Sequence, residues 1–159
     1  MRKTIINQAG KNSPSSDLDF LDLEHLAQVE FTSECLEHPV ESALLLMENS
    51  VSGWQAAISG EQVIRLIFDQ PRTIEHIVLM FEERQQSRTQ EFVLLWLMDN
   101  EDTYREVLRQ QYHFSPPNTT CEIEHYEVGL NQLKALELRI IPDIIGGEAC
   151  ATLKQLRLA

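Results

Sequence analysis

The fold class is decided by the stretch Gln62-Val63-Ile64-Arg65-Leu66-Ile67-Phe68. It is rich in β-branched and aromatic residues, and apolar and polar side chains partly alternate, which is typical of a β-strand. Ser59-Gly60 precedes it and Asp69-Gln70-Pro71 follows it, and both are turn sequences. Because proline has no N–H to donate to a ladder, Pro71 is expected to end this strand.

Similar segments follow along the chain and are separated by turn chemistry. The acidic run Asp99-Asn100-Glu101-Asp102 predicts a hairpin turn, and Ser115-Pro116-Pro117-Asn118 predicts a break. The eight expected strands are residues 26–31, 62–68, 73–81, 91–98, 104–112, 121–128, 135–141 and 152–158. No helices of crossover length lie between them, so the sequence predicts an all-β, antiparallel eight-stranded jelly-roll sandwich.

Two segments depart from this pattern. Residues 38–47 place Pro39 at a first helical position before good helix formers, so we expect one short helix near residues 39–47. Residues 1–16 are poor in apolar side chains and contain Gly, Asn, Ser and Pro, so we expect a flexible N-terminal tail. Residues 17–159 are then expected to form a single β-sandwich domain.

Composition and charge exclude several classes of partner. The chain has 159 residues, 43% of them hydrophobic and 24% charged, which is typical of one soluble globular domain. With 13 basic and 25 acidic residues, the formal net charge is −12. Such a field repels phosphate backbones and anionic lipid, so neither nucleic acid nor a membrane is expected as a partner.

The acidic residues are concentrated in the first third of the chain. No Lys or Arg occurs from Asn12 to Val63, whereas Asp17 to Glu61 contains ten acidic residues. This stretch is either a solvated face or a docking surface for a basic partner.

The N-terminal sequence and the cysteines indicate a compartment. The opening residues 1–6 turn polar at Asn7, so no export signal is visible. Cys35, Cys121 and Cys150 are odd in number and have no CxxC spacing, which favours reduced thiols. We therefore expect a cytoplasmic protein, and nothing in the sequence indicates an oligomeric state.

Motifs for catalysis, metals and cofactors are not found. Cys121 and His125 are four residues apart, which is about 13 Å along a strand, so they cannot share one metal ion by themselves. The five histidines show no HxH or HExxH spacing, and no P-loop, GxGxxG or GxSxG is present. A Cys121 nucleophile with His113 or His125 as base is the enzymatic alternative to a packed cysteine. We expect no enzyme, no metal and no cofactor.

Three blocks carry a family resemblance. Gly53-Trp54-Gln55-Ala56-Ala57 precedes the deciding strand, Phe92-Val93-Leu94-Leu95-Trp96-Leu97-Met98-Asp99-Asn100 leads into the hairpin, and Leu136-Glu137-Leu138-Arg139-Ile140 lies near the end. In this order and spacing, residues 26–159 resemble a discoidin, or coagulation-factor type C, domain of the galactose-binding-like β-sandwich superfamily.

The resemblance implies a jelly roll that binds a ligand with the loops at one end. Members bind glycans, phospholipids or proteins and are generally not catalytic. Several hold a calcium ion at an "A-x-D-G" turn, but this chain has Leu45-Leu46-Met47-Glu48-Asn49 there, so the calcium ligand is missing. The loop at residues 47–52 also has no Trp or Phe of the kind that members insert into membranes.

Sugar sites combine an aromatic platform with a few planar hydrogen-bonding side chains. The loop regions offer five ligand-binding candidates: Trp54, Glu83, Arg84, Arg88 and His113. Trp54 is either a platform or a core plug, and Arg88 either contacts ligand or pairs with an acidic neighbour. Arg84 is the better candidate because its loop has no apolar periodicity. Trp96 alternates with Phe92, Leu94 and Met98 and is assigned to the core.

The leading hypothesis is a non-catalytic cytoplasmic recognition module that binds a neutral or basic ligand through the loops at one end of the sandwich; the resemblance implies a glycan as the default ligand. The alternative is a cytoplasmic protein-interaction or scaffold domain that uses the acidic surface.

Overall fold

The computed structural model describes residues 18–46 and 52–159. These residues form eight strands and two short helices. The strands are β1 (Ala27–Phe31), β2 (Trp54–Ser59), β3 (Gln62–Glu82), β4 (Arg88–Met98), β5 (Arg105–Phe114), β6 (Cys121–Ile141), β7 (Cys150–Leu153) and β8 (Gln155–Leu158). The helices are α1 (Leu23–Leu26) and α2 (Glu41–Leu44). Residues 1–16, expected to form a tail, lie outside the described residues.

Strands β3 and β6 each pass through both layers of the fold. The first half of β3 pairs with β1 and with the end of β6, and β6 pairs onward with β4, which pairs with β5. The second half of β3 pairs with the start of β6 and with β8. A separate two-stranded sheet joins β2 and β7. All these pairs are antiparallel, so the expected all-β antiparallel fold class is confirmed.

The two layers meet through large apolar side chains. Phe81, in the second half of β3, stacks on Phe92 of β4 with ring centroids 5.1 Å apart. Leu94 is fully buried in the same core, and Trp96 packs against it while partly buried, as assigned. The alternating residues of each strand therefore close one core between two layers.

The expected strand end at Pro71 is wrong. Residues 62–68 and 73–81 belong to one strand, because pairing with β6 resumes at Arg72 after stopping at Ile67. Pro71 lies in the gap between these paired positions, where no ladder hydrogen bond requires its N–H. The proline is thus tolerated at an irregularity that carries β3 from one layer to the other.

Three other strand boundaries also differ from expectation. Residues 121–128 and 135–141 are one strand, β6, with an irregularity near Gln132, whose φ is +55°. Residues 152–158 are divided between β7 and β8 because the chain changes partner from β2 to β3. Strand β2 was not expected, since its alanines have little preference for strands.

The helical segment is shorter than expected. Within the described residues, α2 covers Glu41–Leu44, Leu45 is already extended, and Met47 lies outside them. Arg157 ties α2 to β8, because its Nη1 donates to the Ala43 carbonyl at 2.9 Å, and burial lowers the pKa of this guanidinium. Neither helix in the described ranges has the length or apolar content to cross a bilayer.

Gly53 holds a close approach between the start of β2 and the end of β7. Its φ is +66°, and a Cβ there would lie 2.7 Å from the Leu153 carbonyl oxygen. Gly53→Ala is expected to lower the free energy of unfolding by about 2–3 kcal/mol, because both strain and a backbone clash arise. Gly60→Ala is the matched control, since φ is +86° but no atom lies within 4 Å of a Cβ. Equal losses in thermal unfolding of the two variants would contradict a role for the close approach.

Candidate binding groove

A groove opens at the end of the sandwich where β3 ends and β4 begins. It has a volume of about 400 Å³. A smaller hollow of about 180 Å³ adjoins it and shares four of its lining residues. We call the two together the end groove, which is lined by His38, Ser52, Trp54, Gln55, Glu82, Glu83, Arg84, Gln85, Gln86, Glu148, Cys150, Thr152, Leu153 and Lys154.

The β3–β4 loop forms one wall of the groove and is held by Glu83. The backbone N–H of Glu83 donates to the Thr120 carbonyl at 2.8 Å, which ties the loop to the β5–β6 connection. The Glu83 carboxylate accepts the N–H of Gln85 at 3.2 Å and the Nε–H of Arg88 at 2.8 Å. Glu83 thus lines the groove and also fixes the loop that contains Arg84.

Arg88 lies behind this wall and does not face solvent. The exposed fraction of its side chain is 0%. Its Nη1 donates to the Pro142 carbonyl at 2.8 Å and to Gln90 at 3.2 Å, and its Nη2 donates to Thr152 at 3.3 Å. The guanidinium also lies 4.8 Å from the centre of the Phe114 ring. Of the two alternatives for Arg88, the structure shows the ion pair with an acidic neighbour.

Arg84 points into the open part of the groove. Its side chain is 74% exposed, and its Nε donates to Glu82 at 3.1 Å. An exposed pair of this kind contributes at most about 1 kcal/mol, so the guanidinium can exchange this partner for a ligand. Gln85 and Gln86 follow it in the same loop and line the same groove.

Trp54 takes the position of a core plug. It is 1% exposed, and its indole N–H donates to the Ser33 carbonyl at 3.0 Å. Its ring therefore offers no open face on which a sugar could stack, although it forms part of the floor of the smaller hollow.

His113 lies apart from the other candidates. It is exposed on β5, and its Nδ1 is 2.8 Å from the Thr89 hydroxyl. It does not line the groove, because alternation along β5 turns Phe114 inward beneath Arg88 and turns His113 to the outer face. The structure thus brings Glu83 and Arg84 together at the groove, with Trp54 in the floor of its smaller hollow and Arg88 behind its wall.

Several groove residues were not among the candidates. His38, Gln55, Glu148 and Thr152 come from four separate parts of the chain. His38 is notable because its Nδ1 is buried and has no hydrogen-bond partner in the described part of the chain. No spacing in the sequence links these residues, whereas Gln85 and Gln86 share the polar loop that indicated Arg84.

The charges of the groove are mixed. Glu82, Glu83 and Glu148 contribute carboxylates, and Arg84 and Lys154 contribute cations. Because Glu83 is already neutralised by Arg88, the groove has no strong field of one sign. Its lining thus combines opposite charges with amide and hydroxyl groups, which suits a neutral polar ligand with directional hydrogen bonds.

The comparisons with known proteins give a consistent fold. No protein-family model matches the sequence, and no curated protein matches it. Among solved structures, a family 32 carbohydrate-binding module from Clostridium perfringens NanJ, in complex with galactose, has a TM-score of 0.61 and 12% identity, covering 87% of this chain and 96% of that one. The chain has the galactose-binding-like β-sandwich fold. The predicted resemblance is therefore confirmed at the level of fold.

Two further structures with this fold differ in their ligands. A pectin-binding carbohydrate-binding module has a TM-score of 0.58 and 15% identity, covering 84% of this chain and 89% of that one. A chain from the complex of reduced XRCC1 with the DNA polymerase β catalytic domain has a TM-score of 0.59 and 14% identity, covering 84% and 95%. The galactose-binding-like fold thus occurs in sugar-binding modules and in a complex of two proteins.

Proposed function

We propose that this chain is a non-catalytic recognition module that binds a carbohydrate in the end groove. The observation that carries the proposal is an open, polar groove at one loop end, with an exposed arginine and two exposed glutamines in its walls. Sugars present hydroxyls in fixed directions, and planar guanidinium and amide groups recognise such patterns. The sugar-binding modules of the same fold support this assignment.

The groove has room for one or two sugar rings. Its larger part, at about 400 Å³, lies within the range of small-molecule sites. Trp54 does not supply an exposed stacking face, so recognition would rest on hydrogen bonds from Arg84, Gln85 and Gln86. This combination favours a hydroxyl-rich ligand over an apolar one.

A panel of mono- and disaccharides tests the proposal by thermal unfolding. A sugar at 100 times its dissociation constant adds about 2.7 kcal/mol to stability, which is a shift of about 5–10 °C at this chain length. Arg84→Ala is expected to reduce that shift strongly. Arg105→Ala is the matched control, because Arg105 is also exposed and paired with one glutamate, Glu101. Arg105 is at the start of β5, whereas the other end of that strand, at Phe114, lies against Arg88 behind the groove.

Two results would contradict the proposal. If no sugar of the panel shifts the unfolding midpoint, the end groove does not bind these sugars. If a sugar shifts Arg84→Ala and wild type equally, binding lies outside the groove wall formed by the β3–β4 loop.

The second candidate function is protein interaction through the acidic stretch. In the described residues, seven of its side chains are exposed: Asp19, Asp22, Glu24, Glu30, Glu37, Glu41 and Glu61. One chain of similar fold comes from a complex between two proteins. A partner that co-purifies at low salt and dissociates at high salt would favour this function, because attraction between exposed charges is screened.

A further inference from the structure

Two histidines meet on a sheet surface away from the end groove. His76 lies on β3 and His125 on β6, and the Nδ1 of the first is 3.1 Å from the Nε2 of the second. Their ring centroids are 5.2 Å apart, with an angle of 46° between the planes. The residues are 49 positions apart in sequence, so only strand pairing brings them together.

The strand register explains this contact. Val78 is directly opposite His125, and His76 is directly opposite Glu127, so the two histidines are diagonal neighbours. Ile77 and Leu79 are buried in the core, and alternation therefore turns His76 to the face that points away from it. Because β3 and β6 are paired before and after this position along the strands, the backbone fixes the distance between the two residues.

The distance between the two nitrogens matches a metal site. Two imidazole nitrogens, each about 2.0–2.1 Å from one metal ion, are about 2.8–3.4 Å apart for angles between octahedral and tetrahedral values. In the present contact one ring N–H must donate to the lone pair of the other, so a single proton lies between two ligand atoms. A divalent ion bound to both nitrogens would replace that proton, once the rings turn so that both lone pairs aim at the ion.

We propose that His76 and His125 form a two-histidine site for a divalent transition-metal ion, with water in the remaining positions. Imidazole suits Zn²⁺, Ni²⁺ and Cu²⁺, which makes these the ions of choice over Mg²⁺ or Ca²⁺. Glu127, opposite His76 and exposed, adds a negative charge beside the site. A bound ion would join β3 to β6 and stabilise the folded chain by mass action.

One other set of ligands competes with this site. In the described ranges, the grouping of three metal-ligating side chains within reach of one another is Asp22, Glu24 and His25, all exposed. Their side chains are solvated and they have no second feature that indicates an ion. Because His25 belongs to that group, its substitution separates the two possibilities.

Calorimetric titration with Ni²⁺ and with Zn²⁺ tests the proposal. We expect one ion per chain, and we expect His76→Asn and His125→Asn each to weaken binding by tenfold or more. His113→Asn and His25→Asn are the controls and are expected to bind as wild type does. Unfolding midpoints measured without metal check that each variant is folded.

A second measurement uses the unmodified chain. With one equivalent of Cu²⁺, electron paramagnetic resonance of wild type is expected to show coupling to two imidazole nitrogens. Absence of binding by all three ions would overturn the proposal, as would affinity unchanged in both pair variants. Loss of binding in His25→Asn alone would also overturn it, because the ion would then occupy the exposed acidic group.

Discussion

Arg88→Ala is expected to lower the free energy of unfolding by about 3–5 kcal/mol, the range found when one member of a buried ion pair is removed. The guanidinium is fully buried and donates to Glu83, Gln90, Thr152 and the Pro142 carbonyl. Its removal takes one donor from the largely buried Glu83 carboxylate, which keeps the Gln85 N–H, and removes the donor to the buried Pro142 carbonyl. Denaturant or thermal unfolding measures the loss.

Arg84→Ala provides the comparison for this prediction. The two arginines are four residues apart and each pairs with a glutamate, but the Arg84 side chain is 74% exposed. The surface variant is expected to change stability by no more than about 0.5 kcal/mol. If Arg88→Ala lowered the free energy of unfolding as little as Arg84→Ala, the hydrogen bonds of Arg88 behind the groove would not stabilise the fold.

Trp54→Ala is expected to cost about 3–5 kcal/mol, since a large aromatic side chain is removed from a packed interior. Trp54 is 1% exposed, and its indole N–H satisfies the Ser33 carbonyl. The substitution would leave a cavity beneath the smaller hollow of the end groove and would free that carbonyl. Thermal unfolding without ligand measures the effect.

Trp54→Phe separates packing from hydrogen bonding at the same position. The phenyl ring keeps most of the apolar contact but lacks the N–H, so a loss of about 1 kcal/mol is expected. If Trp54→Ala were as stable as wild type, the ring would not be a core plug. If the phenylalanine variant lost as much as the alanine variant, the hydrogen bond to Ser33 would outweigh the packing.

Much of the fold could be predicted because strand formers and turn residues act locally. The deciding stretch at Gln62 to Phe68 and the hairpin at Asp99 to Asp102 both lie where they were expected, and Asn100 has the positive φ, 67°, that suits a tight turn. The errors arose where tertiary pairing overrides local chemistry. Pro71 is permitted within β3 because pairing with β6 is interrupted between Ile67 and Arg72. No local sequence pattern shows this interruption.

The candidate site could be predicted only in part. Arg84 and Glu83 lie in a polar loop with no apolar periodicity, and such a loop can be recognised from the local sequence alone. His38, Gln55 and Thr152 reach the same groove from distant segments, so their meeting depends on register. The burial of Arg88 was equally hidden, because its partners Pro142 and Thr152 lie more than fifty residues away along the chain.

The passage of β3 and β6 through both layers also constrains the order of events during synthesis. Gln62 pairs with Ile140 and Phe81 pairs with Glu122, so β3 has no partner on its β6 side until the ribosome has made residues 121–141. Contacts this distant in sequence form slowly, since loop closure must precede them. Until then the unpaired edge and the apolar side chains of β3 are exposed to other nascent chains, and a chaperone that shields them is expected to raise the yield of native protein.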